Sequence, residues 1–169
     1  MGKLNGKVAV ITGAGSGIGR ATALAFASAG ASVHMIDIRP ERIEAVAREI
    51  GVAGGRATCH EADCSDAKAM ELAASAIYEK DGRVDILQNG AGILVSARVE
   101  DLRLEDWARA INVNLWGVIN SLHVFIPRML NQGGGAHIVN IASLAGLVGF
   151  PFTAPYTATK FAVVGLTEA

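Results

Sequence analysis

The sequence is short of cysteine, of charge imbalance and of long apolar runs. Two cysteines, Cys59 and Cys64, are too few for a disulfide scaffold, so a reducing, cytoplasmic setting is expected. Lysine and arginine number 15 against 16 acidic residues, a net charge of −1, and no basic patch or tail points to nucleic acid or a membrane surface. No stretch approaches the roughly 18 apolar residues of a membrane span. The polar start MGKLNGK leads into a short apolar run, Val8–Ile11, unlike a secretory signal. Gly6 breaks the myristoylation pattern that Gly2 would open. Disorder is also excluded, because 51% of the residues are hydrophobic and 18% charged. The 169 residues make one ordinary domain, long enough to bury about 70% of the surface its unfolded chain exposes. No internal repeat, low-complexity tract or linker divides it. Glycine is the abundant residue, 20 of 169; about 12% against an average near 7% suggests loops that turn tightly or approach a ligand.

Apolar runs alternate with helical spacing along the chain. KVAVIT (7–12), VHMI (33–36), RATCHE (56–61), VDILQ (84–88) and HIVNI (137–141) read as strands. Between them, 18–29 reads as a helix, and Ile43, Val46, Ala47 and Ile50 recur at helical spacing after Pro40. Ser65 is the expected cap of a helix that buries Met70, Ala73, Ala74 and Ile77. A long helix is expected from about 105 to 130, with a late Pro127, and another from Pro155 onward. Strands separated by helices imply right-handed βαβ crossovers and a parallel sheet covered on both faces, a doubly wound α/β fold. Such sheets bind ligands just beyond the carboxyl ends of their strands.

The residues at those ends carry the chemistry. The first strand runs into Thr12-Gly13-Ala14-Gly15-Ser16-Gly17-Ile18-Gly19, a GxxxGxG spacing at 13, 17 and 19. Glycines there permit a tight turn, backbone approach to a pyrophosphate and close helix–strand packing. The N–H groups of Ser16 and Ile18 then meet phosphate at the helix N-terminus. No Lys-Ser/Thr follows, so this is not a P-loop. Asp37 ends the second strand 18 residues after Gly19. A carboxylate there accepts hydrogen bonds from a ribose and repels a 2′-phosphate, which favours NAD over NADP, a preference that Arg39 weakens. Asp63 and Asn89-Gly90-Ala91-Gly92 lie on the same ligand edge, where alone they read as turn residues. Ser143 follows the fifth strand, Tyr156 comes 13 residues later and Lys160 four beyond that. Tyrosine and lysine at i, i+4 share one helix face. A phenol ionises near pH 10, an adjacent ammonium favours the phenolate, and a serine hydroxyl suits a developing oxyanion.

Taken together, from Lys7 to Ala169, these motifs resemble those of the short-chain dehydrogenase/reductase family. Thr12–Gly19 is similar to its TGxxxGxG motif, and Asn89–Gly92 to its NNAG motif with Gly90 in place of the second asparagine. Asn114 matches the family's helix asparagine, and Ser143, Tyr156 and Lys160 match its Ser, Tyr and Lys. The resemblance implies a Rossmann-like sheet with strand order 3-2-1-4-5 and the family's last two strands absent. It implies an adenine contact from Asp63, with Cys64 beside it donating backbone, and cofactor support from Asn89 and Ala91. Tyr156 would exchange the proton with the substrate oxygen and Ser143 would polarise that oxygen. Lys160 would hold the nicotinamide ribose, and Asn114 would hold a relay water. The implied activity is hydride transfer between NAD(H) and a small or medium secondary alcohol or ketone. The alternative is a dinucleotide-binding module or sensor without turnover. A homodimer or homotetramer is implied as well; Leu115, Val118, Leu122 and Phe125 fit either such an interface or the subunit core.

Other features point elsewhere and are set aside. Cys59, His60 and Cys64 lack the paired spacing of a structural zinc site, so no metal is expected. No GxSxG elbow exists. Trp107 and Trp116 read as packing residues, His34, His123 and His137 as satisfied structural histidines, and Glu100, Asp101, Glu105 and Asp106 as a helix entry. Ile93, Leu94, Leu144, Ala145, Pro151 and Phe152 form the candidate substrate pocket. The chain stops nine residues after Lys160 within an apolar helical pattern, without a glycine cap or proline stop. Residues 1–169 are therefore read as a single domain incomplete at its C-terminus, leaving HIVNI as a sheet edge.

Overall fold

The computed structural model describes residues 2–169. Five strands are present: β1 (Val8–Thr12), β2 (Ser32–Asp37), β3 (Arg56–Glu61), β4 (Ile86–Asn89) and β5 (His137–Asn140). They form one parallel sheet in the order β3-β2-β1-β4-β5, the expected Rossmann-like doubly wound arrangement. β1 sits at the centre, with Val8↔Ser32 opening its register with β2 and Ala9↔Ile86 its register with β4.

Strand alternation sorts the core into two layers. Val10 of β1, Ile36 of β2 and Leu87 of β4 face one way and pack with Met70, Ala74 and Ile77 of helix α3 (Ala67–Asp81) and with Phe125 and Met129 of helix α5 (Gly117–Asn131). Ile11, Val33 and Met35 face the other way, against Ala23 and Ala27 of α1 (Gly17–Ser28) and Ile43, Val46 and Ile50 of α2 (Pro40–Val52). Phe125 is completely buried, and burying such a side chain contributes about 2–3 kcal/mol. Val118 is buried too, and Leu122 packs on the Phe125 cluster.

Two local expectations are corrected. Asp66, not Ser65, caps α3: its carboxylate accepts from the backbone N–H groups of Lys68 and Ala69 at 2.8 and 3.2 Å. Ser65 is instead occupied by Asp63, to which it donates both its N–H and its hydroxyl. The long helix is interrupted as well. It consists of α4 (Leu104–Ile111), a π-helical turn at Asn112–Trp116, and α5. π-turns displace one residue from the helical register and are frequent at functional sites; this one holds Asn114. The last helix, α6 (Ala154–Glu168), places Pro155 in its first turn, where the missing N–H costs nothing.

Candidate active site

The carboxyl ends of β1, β2, β4 and β5, together with α6, enclose one cavity of about 1000 Å³. At its β1 end, Gly13 takes φ +69°, a left-handed conformation open to glycine. A Cβ there would also meet the Ala91 backbone at 2.7 Å. At Gly19 the constraint is close approach, since any Cβ would overlap the Gly13 carbonyl oxygen. The turn therefore packs against α1 only through bare backbone, and Ser16, Gly17 and Ile18 line the cavity at the helix N-terminus. The Asp37 carboxylate closes this loop from β2, accepting from the N–H of Gly15 at 2.9 Å and of Arg39 at 3.0 Å. Thr12 Oγ1 accepts from the N–H groups of Gly90 and Ala91 at 3.1 and 3.3 Å, which fastens the loop after β4 to the end of β1.

The opposite wall carries Ser143, Tyr156 and Lys160. Ser143 leaves β5 and accepts from the N–H of Ala145 at 3.1 Å, so its own hydroxyl proton remains free to donate. Lys160 is buried, and its Nζ donates to the Ile141 carbonyl at 2.6 Å and lies 5.7 Å from the centre of the Tyr156 ring. Burial pushes the Lys160 ammonium below the usual lysine value.

The cavity gathers Gly13, Ser16, Gly17, Ile18, Gly19, Asp37, Asp63, Cys64, Ala91, Ser143, Tyr156 and Lys160. It does not include two expected residues. The Asn89 side chain is buried beneath it and donates to Asn140 Oδ1 at 2.8 Å, so it joins β4 to β5. Asn114 is fully buried behind the wall, bonded to both the N–H and the carbonyl of Ile93. Burial raises the Cys64 thiol to about 12, the nearby Asp63 carboxylate adding to the effect, so the thiol stays protonated. Of the proposed substrate pocket, Ile93 and Leu94 line the cavity. Leu144, Ala145, Pro151 and Phe152 do not; Ala145 is buried, and Leu144 and Phe152 are exposed.

Further differences follow from tertiary placement. His34 is buried and bonded to Asp81 and His60, but His123 and His137 are exposed and not structural. Trp116 is half exposed rather than packed. Cys59 packs toward α1 and α2, His60 bonds His34, and Cys64 lies against Gly117. Arg42 and Arg109 line the cavity without having been singled out, since no local pattern marks them. Thr159 was also missed, although its place three residues after Tyr156 on one helix was a legible signal.

A sequence model of the family described as short chain dehydrogenase matches residues 7–169. Cyclohexanol dehydrogenase of Acinetobacter sp. (strain SE19) is 44% identical over 168 residues, which are 99% of this chain and 66% of that protein. D-threitol dehydrogenase of Mycolicibacterium smegmatis is 42% identical over 98% of this chain and 64% of its own length. A short-chain dehydrogenase/reductase from Burkholderia phymatum, solved in complex with NAD, superimposes with a TM-score of 0.96 at 40% identity, covering 99% of this chain and 60% of that one. The chain thus spans 60–66% of the length of these relatives. Among the described residues, no helix is long and apolar enough to cross a membrane.

Proposed function

Because the chain belongs to the short-chain dehydrogenase family, we propose that it transfers hydride between NAD(H) and a small or medium secondary alcohol or ketone. One observation carries the reading: Ser143, Tyr156 and Lys160 open into the same cavity as the glycine turn at the N-terminus of α1. The residues present fit a dinucleotide. Gly13 and Gly19 leave bare backbone where any Cβ would collide, and exposed N–H groups at a helix N-terminus suit a pyrophosphate. Gly13, Ser16, Gly17, Ile18 and Gly19 would hold the phosphates, Asp37 the adenosine ribose, and Asp63 with the Cys64 backbone the adenine. The Asp37 carboxylate disfavours a 2′-phosphate, which supports NAD over NADP. When bound, the nicotinamide supplies the carbon that accepts or releases hydride.

The chain's own groups handle the proton. In alcohol oxidation Tyr156 Oη takes the substrate hydroxyl proton, and in ketone reduction it returns it. The free Ser143 proton bonds the substrate oxygen and stabilises negative charge as it develops there. Lys160 spends one proton on the Ile141 carbonyl and has its others available for the nicotinamide ribose. The Asn114 amide is occupied by Ile93 and Thr159, so a relay water would meet its backbone. Ile93 and Leu94 give the substrate end an apolar lining, in keeping with a substrate of modest polarity. Cytoplasmic residence and self-association belong to the same reading; light scattering tests the latter.

The deciding experiment is Tyr156→Phe assayed for NADH binding and for turnover across a panel of alcohols and ketones. Turnover should fall about a thousandfold or more while NADH binding is retained. Near-normal turnover in this variant overturns the assignment. A wild-type chain that binds NADH and turns nothing over is a binding module instead.

A further inference from the structure

Thr159 sits between the two site residues of α6, and its hydroxyl is more committed than helix geometry requires. The residue is 2% exposed. Its Oγ1 donates to the Tyr156 carbonyl at 2.7 Å, an ordinary back-bond for threonine in a helix. The same oxygen also accepts from Asn114 Nδ2 at 3.2 Å, across the gap between α6 and the π-turn. Asn114 can be oriented in only one way. Ile93 N–H donates to its Oδ1 at 2.7 Å, and its Nδ2 donates to the Ile93 carbonyl at 2.9 Å. A flipped amide would set donor against donor and acceptor against acceptor. The second Nδ2 proton therefore finds its acceptor in Thr159, at a site with no exposure.

Lys160, the next residue, is bracketed by the same network. Its Nζ reaches Ile141 at the end of β5. On the other side is Gly92, where an added Cβ would stand 3.3 Å from Asn114 Oδ1 and 3.8 Å from Lys160 Nζ. We propose that Thr159 is a positioning residue: its hydroxyl locks the Tyr156–Lys160 turn of α6 to Asn114, and through Asn114 to Ile93 on the cavity wall. This deepens the proposed function and rests on it. Without the hydroxyl, Asn114 Nδ2 keeps a buried proton with no acceptor, a costly state. The amide must turn or the turn of α6 must move, and either displaces the groups that set the Tyr156–Lys160 spacing.

Thr159→Val keeps the shape and removes the hydroxyl; Thr159→Ser keeps the hydroxyl. NADH affinity by fluorescence titration, kcat and KM for an accepted alcohol, and the melting temperature are measured for both. Expected in Thr159→Val is a fall in kcat of about tenfold and a rise in the NADH Kd of about threefold, with the alcohol KM unchanged. Thr159→Ser should recover both to within about twofold. The proposal is overturned if Thr159→Val lowers only the melting temperature, or if Thr159→Ser is as impaired as Thr159→Val. Should the valine variant not fold, Thr159→Ala replaces it against the same serine control. If the wild-type chain binds NADH without turnover, the proposed reaction fails, and the NADH Kd series alone still decides Thr159.

Discussion

Strands β1 and β5 are both short, parallel and largely apolar in sequence, and each ends in a loop that supplies site residues. Yet β1 is buried at every position, whereas β5 is exposed at His137, Ile138 and Val139. The difference lies in their neighbours. β1 pairs on both flanks and contributes to both core layers, while among the described residues β5 pairs with β4 alone. The glycine turn therefore grows from the best-packed part of the molecule. The Ser143 side is held by directional bonds instead: Asn89 to Asn140, Asn140 to Thr167 of α6, Lys160 to Ile141 and Asn114 to Ile93. Packing thus dominates around the glycine turn, with Asp37 and Thr12 adding polar ties, whereas the Ser143 wall relies on polar ties.

The severest way to break this contrast is at the central loop. Gly19→Val drives a branched side chain into the Gly13 carbonyl and should cost more than about 4 kcal/mol and abolish NADH binding. A variant that melts near wild type and still binds NADH would show that the loop yields where the packing says it cannot.

The far edge, β3, sharpens the comparison, because it too is tied by polar bonds. His34 Nε2 bonds Asp81 Oδ2 at 2.6 Å, and its Nδ1 faces His60 Nε2 at 2.9 Å, with the two rings stacked. Burial, reinforced by His34 and Lys80, pushes His60 down to about 4; burial also lowers His34 against the pull of Asp81. In the unfolded chain His60 titrates near 6.5. Its contribution is therefore complete above about pH 6.5 and is lost as the pH falls toward 4, when the unfolded chain binds the proton first. His60→Gln should flatten the stability profile over that window, measured by urea unfolding from pH 7 to pH 4. An unchanged acid limb would place the sensitivity elsewhere.

The smallest effects test the contrast directly. Val10→Ala on β1 should cost about 2 kcal/mol, whereas Val139→Ala on β5 should cost less than about 0.5 kcal/mol. Equal losses in chemical denaturation would mean that β5 is covered in solution.

The strand runs, the helical spacing after Pro40, the GxxxGxG turn and the Ser143, Tyr156, Lys160 constellation were legible in sequence because each is a local pattern imposed by local physics. Period-two and period-3.6 burial, the left-handed turn at Gly13 and the i, i+4 helix face need nothing beyond a few neighbouring residues. Other features depended on groups distant in the chain. Asp66 rather than Ser65 caps the helix because α3 begins at Ala67, which leaves Ser65 one residue outside the cap position, bonded to Asp63. Asn89 and Asn114 became supports beneath the cavity because Asn140 and Ile93 stand opposite them. Thr159 acquired a role from a residue 45 positions away. Local patterns along the chain set the elements, their α/β alternation and which side chains could do chemistry. Tertiary structure alone decided which of those side chains reach the cavity and which hold the others in place, because hydrogen-bond partners and burial are set by elements meeting in space and leave no period in the chain.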